Sequence, residues 1–145
     1  MEAKLLFQKR SFSDVYGTSY SPTNFSGNKY TQTLTTTAND FYVFDCVFSY
    51  CLSSSSGGAL SCGSSVYRLL VEQSSFISCR VSSGNGGAIH FSNGNYGESV
   101  LSQVCGFNCS STSSNSMQGV FINIYTKGDI ANKNHVNDSS ITHCL

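Results

Sequence analysis

Four segments of the chain carry the same spacing of apolar and polar positions. FYVFDCVFSYC (41–51), LLVEQSSFISC (69–79), SVLSQVCGFNC (99–109) and NHVNDSSITHC (134–144) each close on a cysteine. Stacked on that cysteine, they form three columns. One is Cys51, Cys79, Cys109 and Cys144; the second is Val43, Val71, Leu101 and Val136; the third is Phe48, Phe76, Gly106 and Ile141. Short alternating stretches rich in Val, Ile, Phe and Ser predict strands and not helices. The closing cysteines are 28, 30 and 35 residues apart. Most of the drift falls in serine-rich stretches at 52–56, 80–85 and 110–117, which read as loops lengthening between fixed strands.

Glycines keep the same period. The pairs Gly57-Gly58 and Gly86-Gly87 are 29 residues apart, each ahead of a small apolar stretch. The third site, in QGVFINIY (118–125), has Gly119 alone. The register that sets Ile122 and Ile124 under Leu60 and Cys62 keeps the apolar face continuous. A phosphate-binding loop would need GxxxxGK[ST], or GxGxxG opening a helix, and neither is present. These glycines are predicted to turn corners, because glycine adopts backbone angles that other residues avoid.

A period near 30 residues without helical periodicity predicts an all-β solenoid, a parallel β-helix of about three to four coils. Each coil would hold three short strands, stacked about 4.8 Å from the next. Residues 41–145 would form the coils, the last one incomplete. Residues 1–40 lack the repeat and are expected to be a lead-in or N-terminal cap. Within them YTQTLTTT (30–37) reads as a strand, and 1–14 as a short helix or strand.

Composition narrows the partners. Lys plus Arg and Asp plus Glu number 8 each in 145 residues, and charged residues make up 11%. Such sparse charge argues against nucleic acid or an anionic membrane as a partner, since that binding needs clustered Lys and Arg. Lys9-Arg10, with Lys4 nearby, reads as a solvated terminus. MEAKLLFQKRSF has an apolar run too short for a signal-peptide core, and no run is long enough to span a membrane.

The 7 cysteines admit more than one reading. Stacked coils point equivalent side chains the same way, which suits a column of small buried thiols better than disulfides. Disulfides and a metal site stay open as alternatives. The odd count argues for at least one free thiol.

Glycan-active enzymes on a β-helix need clustered carboxylates. Asp45 and Glu72 come nearest, as diagonal neighbours on adjacent coils; the alternative is a pair of solvated polar positions. No Lys or Arg shares their columns. His90 is expected at the surface, and His135 and His143 in the last coil. No catalytic residue, cofactor or metal is assigned. Sequons at Asn24, Asn108 and Asn137 fit a surface protein without showing one.

The units FSYCLSSSSGGAL, FISCRVSSGNGGAI and FNCSSTSSNSMQGVF resemble the paired FxxN and GGA[ILV] motifs of polymorphic-membrane-protein repeats. The cysteine variant is similar to that of large paralogous sets in parasitic protists. The resemblance covers about residues 41–145 and is clean in two copies; Gly106 and Gln118-Gly119 depart from it in the third. It implies a right-handed parallel β-helix, a cell-surface or secreted location, and a role in adhesion or host contact. It implies no catalytic residues. An extracellular or host-surface ligand is the expected partner, and end-to-end self-association through unpaired coil edges is a second expectation. The rival readings are a glycan-active or carbohydrate-binding β-helix and an intracellular fragment.

Overall fold

The computed structural model describes residues 9–112, 120–126 and 133–143. Gly119 and Cys144, expected as a corner and as the last of the cysteine column, lie outside the described residues. A five-residue helix, α1 (Phe12–Tyr16), comes first. Strands β1 (Thr23–Ser26), β2 (Lys29–Tyr30) and β3 (Leu34–Thr36) follow. Then come β4 (Asp40–Phe44), β5 (Val47–Ser49), β6 (Leu52–Ser53) and β7 (Leu60–Cys62). The same succession recurs as β8 (Arg68–Glu72), β9 (Ser75–Ile77), β10 (Arg80–Val81) and β11 (Ile89–Asn93). It recurs again as β12 (Glu98–Ser102), β13 (Cys105–Phe107), β14 (Ser110–Ser111) and β15 (Ile122–Thr126), before β16 (Asn134–Asn137) and β17 (Ser140–Thr142).

The strands join four sheets, ordered β1-β4-β8-β12-β16, β2-β5-β9-β13-β17, β6-β10-β14 and β3-β7-β11-β15. The pairings are parallel throughout. The chain therefore visits the sheets in a fixed order, and each lap lays a strand beside the one made a lap earlier. A full lap holds four strands where the sequence suggested three. The polar stretches after Cys51, Cys79 and Cys109, read as loops, begin as the two-residue strands β6, β10 and β14. Pairing already begins at Thr23: Phe25 stands beside Val43, Tyr30 beside Phe48 and Leu34 beside Leu60. Residues 30–37 are divided between β2 and β3 by a bend at Thr31 and Gln32.

The register sets equivalent residues on one another. Val43, Val71, Leu101 and Val136 form one row, and Phe48, Phe76, Gly106 and Ile141 another. In the fourth sheet Leu60, Ile89 and Ile122 align, as do Cys62, Phe91 and Ile124. Val43, Val71, Leu101, Phe48, Phe76, Leu60 and Ile89 all belong to one fully buried core, so three sheets face the same interior. The rings of Tyr30, Phe48 and Phe76 stack at 4.9 Å steps. The row then meets Gly106, where a Cβ would lie 2.5 Å from the Phe121 ring. Phe121, just ahead of β15, fills the vacant ring position, edge-on to Phe76 at 5.9 Å. The glycine that breaks the sequence motif is thus matched by a phenylalanine from elsewhere in its own lap.

The corners that join the strands are not all built alike. Between the first and second sheets, Asp45, Gln73, Gln103 and Asp138 hold φ between 47 and 55°, where Gly27 stands at 67° in the first lap. The N–H of Asp45 donates to Glu72 O (3.1 Å) and that of Gln73 to Ser102 O (3.1 Å), so bonds to the following lap offset an unfavourable backbone angle. The glycine corner works differently. Gly57 has φ +79°, and a Cβ on Gly58 would lie 2.1 Å from Gly87 O of the lap above. Here one glycine turns the chain and the next lets two laps touch.

Cys51, Cys79 and Cys109 are fully buried. Their thiols donate to main-chain carbonyls, Cys79 to Phe48 O (3.6 Å) and Cys109 to Phe76 O (3.5 Å). Hydrogen bonding with Cys109 and Cys51, and then burial, hold the Cys79 thiol well above the usual range; bonding with Cys79 lowers that of Cys51. Burial alone pushes Cys62 up to about 12.

Two outcomes follow from this packing. Phe121→Ala should cost about 3 kcal/mol in urea unfolding, and adding Gly106→Phe should recover a large part of it, since the ring returns to the same space. Thiol alkylation of the native chain, mapped by peptide mass spectrometry, should modify exposed Cys105 well before Cys62 or Cys79, which should react only on unfolding.

Candidate functional site

The middle strands of the first sheet, β4, β8 and β12, are buried on both faces. Their inward row is Val43, Val71 and Leu101, while the neighbouring Tyr42, Leu70 and Val100 pack on the other side against Phe12 and Val15 of α1. The helix forms locally through a capping box in which Ser11 Oγ accepts from Asp14 N and the Asp14 carboxylate accepts from Ser11 N. That bonding holds the Asp14 carboxyl below its ordinary range. Tyr16 donates to Leu69 O (2.7 Å), and burial drives its hydroxyl pKa upward. Lys133 Nζ reaches Val15 O on the far side.

Glu72 lies beneath this strap and is almost fully buried. Arg10 Nε holds one oxygen at 2.8 Å, and the Tyr42 hydroxyl approaches the other at 3.0 Å while also facing Arg10 O at 2.9 Å. Register places Phe44, and not Asp45, beside Glu72; Asp45 occupies the exposed corner next to Gln73's position. The two carboxylates weighed as an acid–base pair therefore have separate structural uses. Beside α1 a cleft of about 400 Å³ remains, walled by Phe12, Tyr20, Tyr42 and Phe44 with Asn24 and Ser26 at its edge. The Lys9 ammonium lies 4.4 Å from the Phe44 ring centre.

The corner that leads from the fourth sheet back to the first is built differently from the others. Asn93, at the end of β11, is 2% exposed. Its Nδ2 donates to Ser64 O (3.0 Å) and Val66 O (2.9 Å) in the preceding lap. Its Oδ1 accepts from Asn95 N (3.2 Å) and Tyr96 N (3.1 Å) in its own. One buried amide thus fixes the turn that carries Tyr67 and the turn that carries Tyr96. The two rings meet edge to face at 6.2 Å and 84°. One lap on, Tyr125 lies over Gly94, where a Cβ would come within 2.5 Å of its ring. Tyr67, Tyr96 and Tyr125 are 38%, 70% and 66% exposed. Beside them Arg68 pairs with Asp40 at 2.9 Å, lies 3.4 Å over the Tyr20 ring, and has Glu98 as its register neighbour.

Other expected positions fall outside this corner. The serine-rich loops stack on each other, and several of their hydroxyls are occupied: Ser56 Oγ accepts from Asn85 N, and Ser111 Oγ donates to Gly84 O. Residues 113–117 of the last loop lie outside the described residues. His90, expected at the surface, is half-buried between Ser61 and Asn123 in register, and burial lowers its pKa. Asn24 and Asn137 are exposed on outer strands, while Asn108 Nδ2 is engaged with Ser78 Oγ (3.1 Å). Among the described residues, no helix is long and apolar enough to cross a membrane, and no group of three or more metal-ligating side chains is gathered.

Sequence reasoning missed Asn93 because only one lap carries it. The available signal was NGNYG (93–97), a turn with glycine on either side of Asn-Tyr. Asn93→Ala should cost roughly 1–3 kcal/mol, because buried carbonyls and N–H groups lose their partner. It should also speed amide exchange at Asn95 and Tyr96 more than at the core strands. No protein-family model matches the chain, and comparison with curated proteins and with solved structures gives no match.

Proposed function

We propose that the chain is a right-handed parallel β-helix acting as a non-enzymatic interaction module at a cell surface or in the extracellular space. Three features support the architecture: the fixed order in which the laps visit four parallel sheets, the in-register columns, and the interior shared between sheets. The observation that carries the functional reading is the tyrosine corner. Tyr67, Tyr96 and Tyr125 are exposed, the turns that carry the first two are tied together by the buried Asn93, and the third lies against Gly94, which is what a contact surface needs if little entropy is to be lost on binding. The acids with the strongest claim to catalysis support it too, since Glu72 anchors the N-terminal strap and Asp45 turns a corner. The FxxC and GGA[IL] units, by their resemblance to polymorphic-membrane-protein repeats, favour adhesion as the form the interaction takes.

Tagging the native gene product and adding protease to intact cells tests the location. Loss of the tagged protein is the expected result. Protection until the cells are lysed would contradict a surface role.

A further inference from the structure

The inward rows are sealed in the middle of the stack and open at its two ends. Val43, Val71 and Leu101 are fully buried, whereas Val136 in the same row is 49% exposed. Phe48 and Phe76 are fully buried, whereas Ile141 in their row is 44% exposed. At the other end Phe25, Tyr30 and Leu34 head the same rows and are only partly buried. Among the described residues, β16, β17 and β15 are outermost at one end of their sheets, and β1, β2 and β3 at the other.

The backbones at the two ends continue one series of hydrogen bonds. After the first sheet, each corner N–H donates to the residue ahead of the next lap's corner: Gly27 to Phe44 O, Asp45 to Glu72 O, Gln73 to Ser102 O and Gln103 to Asn137 O. The next donor in that series is Asp138 N–H, and the acceptor at its head is Ser26 O. Entering the fourth sheet, Leu34 N–H donates to Ala59 O, Leu60 to Ala88 O and Ile89 to Phe121 O. There the next donor is Ile122 N–H and the acceptor at the head is Thr33 O. Entering the second sheet the bonds run backwards, with Val47 N–H donating to Asn28 O, Ser75 to Cys46 O and Ser140 to Val104 O. Lys29 N–H and Ser139 O are the corresponding pair.

Side chains match in the same register. With one copy set on the next, Val136 meets Phe25, Ile141 meets Tyr30 and Ile122 meets Leu34, apolar on apolar in three rows. A single extended peptide can pair with one such edge. Meeting three at once takes a lap whose strands bend at the same corners, and residues 23–36 are that lap.

We propose that the chain associates head to tail with copies of itself, β1, β2 and β3 of one copy pairing in parallel with β16, β17 and β15 of another. The contact repeats the one that already joins consecutive laps within the chain. It uses a different patch on each partner, so every added copy presents a further end and growth does not close at two. The proposal goes beyond the interaction-module reading, since it concerns the ends of the stack and not its corners.

Sedimentation velocity of the full chain over a range of concentrations tests it, with reductant present so that exposed Cys105 cannot cross-link copies. The average mass should rise with concentration and pass that of two chains without a plateau. Val136→Lys/Ile141→Lys places charge at one end, on positions already solvent-exposed in the single chain. Lys29→Pro removes an edge N–H at the other end. Each should weaken self-association tenfold or more, with far-UV circular dichroism unchanged. The two variants keep opposite ends intact, so mixing them should give a species of two chains and nothing larger. A single-chain mass at every concentration would overturn the proposal, whatever the variants do to stability. So would a plateau at two chains in the parent, association indifferent to both variants, or folded variants that fail to pair when mixed.

Discussion

Each lap of this chain stands in register on the lap before it, and that constraint governs the rest of the structure. Parallel pairing puts like positions one strand spacing apart, so a side chain is packed chiefly by its own counterparts. Columns of equal residues follow directly, as with Phe48 on Phe76 and Cys51 below Cys79. Departures must be matched nearby. Gly106 removes a ring from its column, and Phe121, just ahead of β15, restores one. At Gly58 and Gly87 successive backbones come so close that any side chain would collide with a carbonyl.

The same register explains why polar residues are recruited to structure. At the corner after the first sheet, non-glycine residues accept a left-handed backbone angle because the N–H is bonded to the following lap. On the outer face, the apolar row Tyr42, Leu70 and Val100 has to be covered, and α1 covers it. Covering it also buries Glu72, which is tolerable only because Arg10 and Tyr42 meet its oxygens. A carboxylate that looks catalytic in one dimension is a fastening in three.

What could be read from sequence follows the same division. The columns of Val43, Phe48 and Cys51 and the alignment of Ile122 with Leu60 were legible, because identical environments select similar residues in every lap. Features that occur once were not. The strand segments FYVF, RLLV and SVLS are apolar at adjacent positions, which signals burial on both faces, yet nothing local names α1 as the cover. Five residues are too few to show helical periodicity. Residues 23–36 share the register of later laps but lack both the cysteine and the glycine pair, so their pairing was hidden. The four-strand lap was missed because β6, β10 and β14 are two residues long and lie in serine-rich sequence. Asn93 ties its corner through side-chain hydrogen bonds, and a repeat alignment discards it as a singular residue.

The scaffold repeats, and on it Tyr67, Tyr96 and Tyr125 are displayed near one corner from three different positions of the lap. Their value as a surface depends on the register being as described. The most direct measurement is a nuclear Overhauser spectrum of the isotopically labelled chain. It should show interstrand contacts linking Leu60 to Ile89 and Ile89 to Ile122, in the pattern of parallel strands. Contacts displaced by one residue, or close Hα–Hα contacts of antiparallel pairing, would contradict the stacked-lap arrangement.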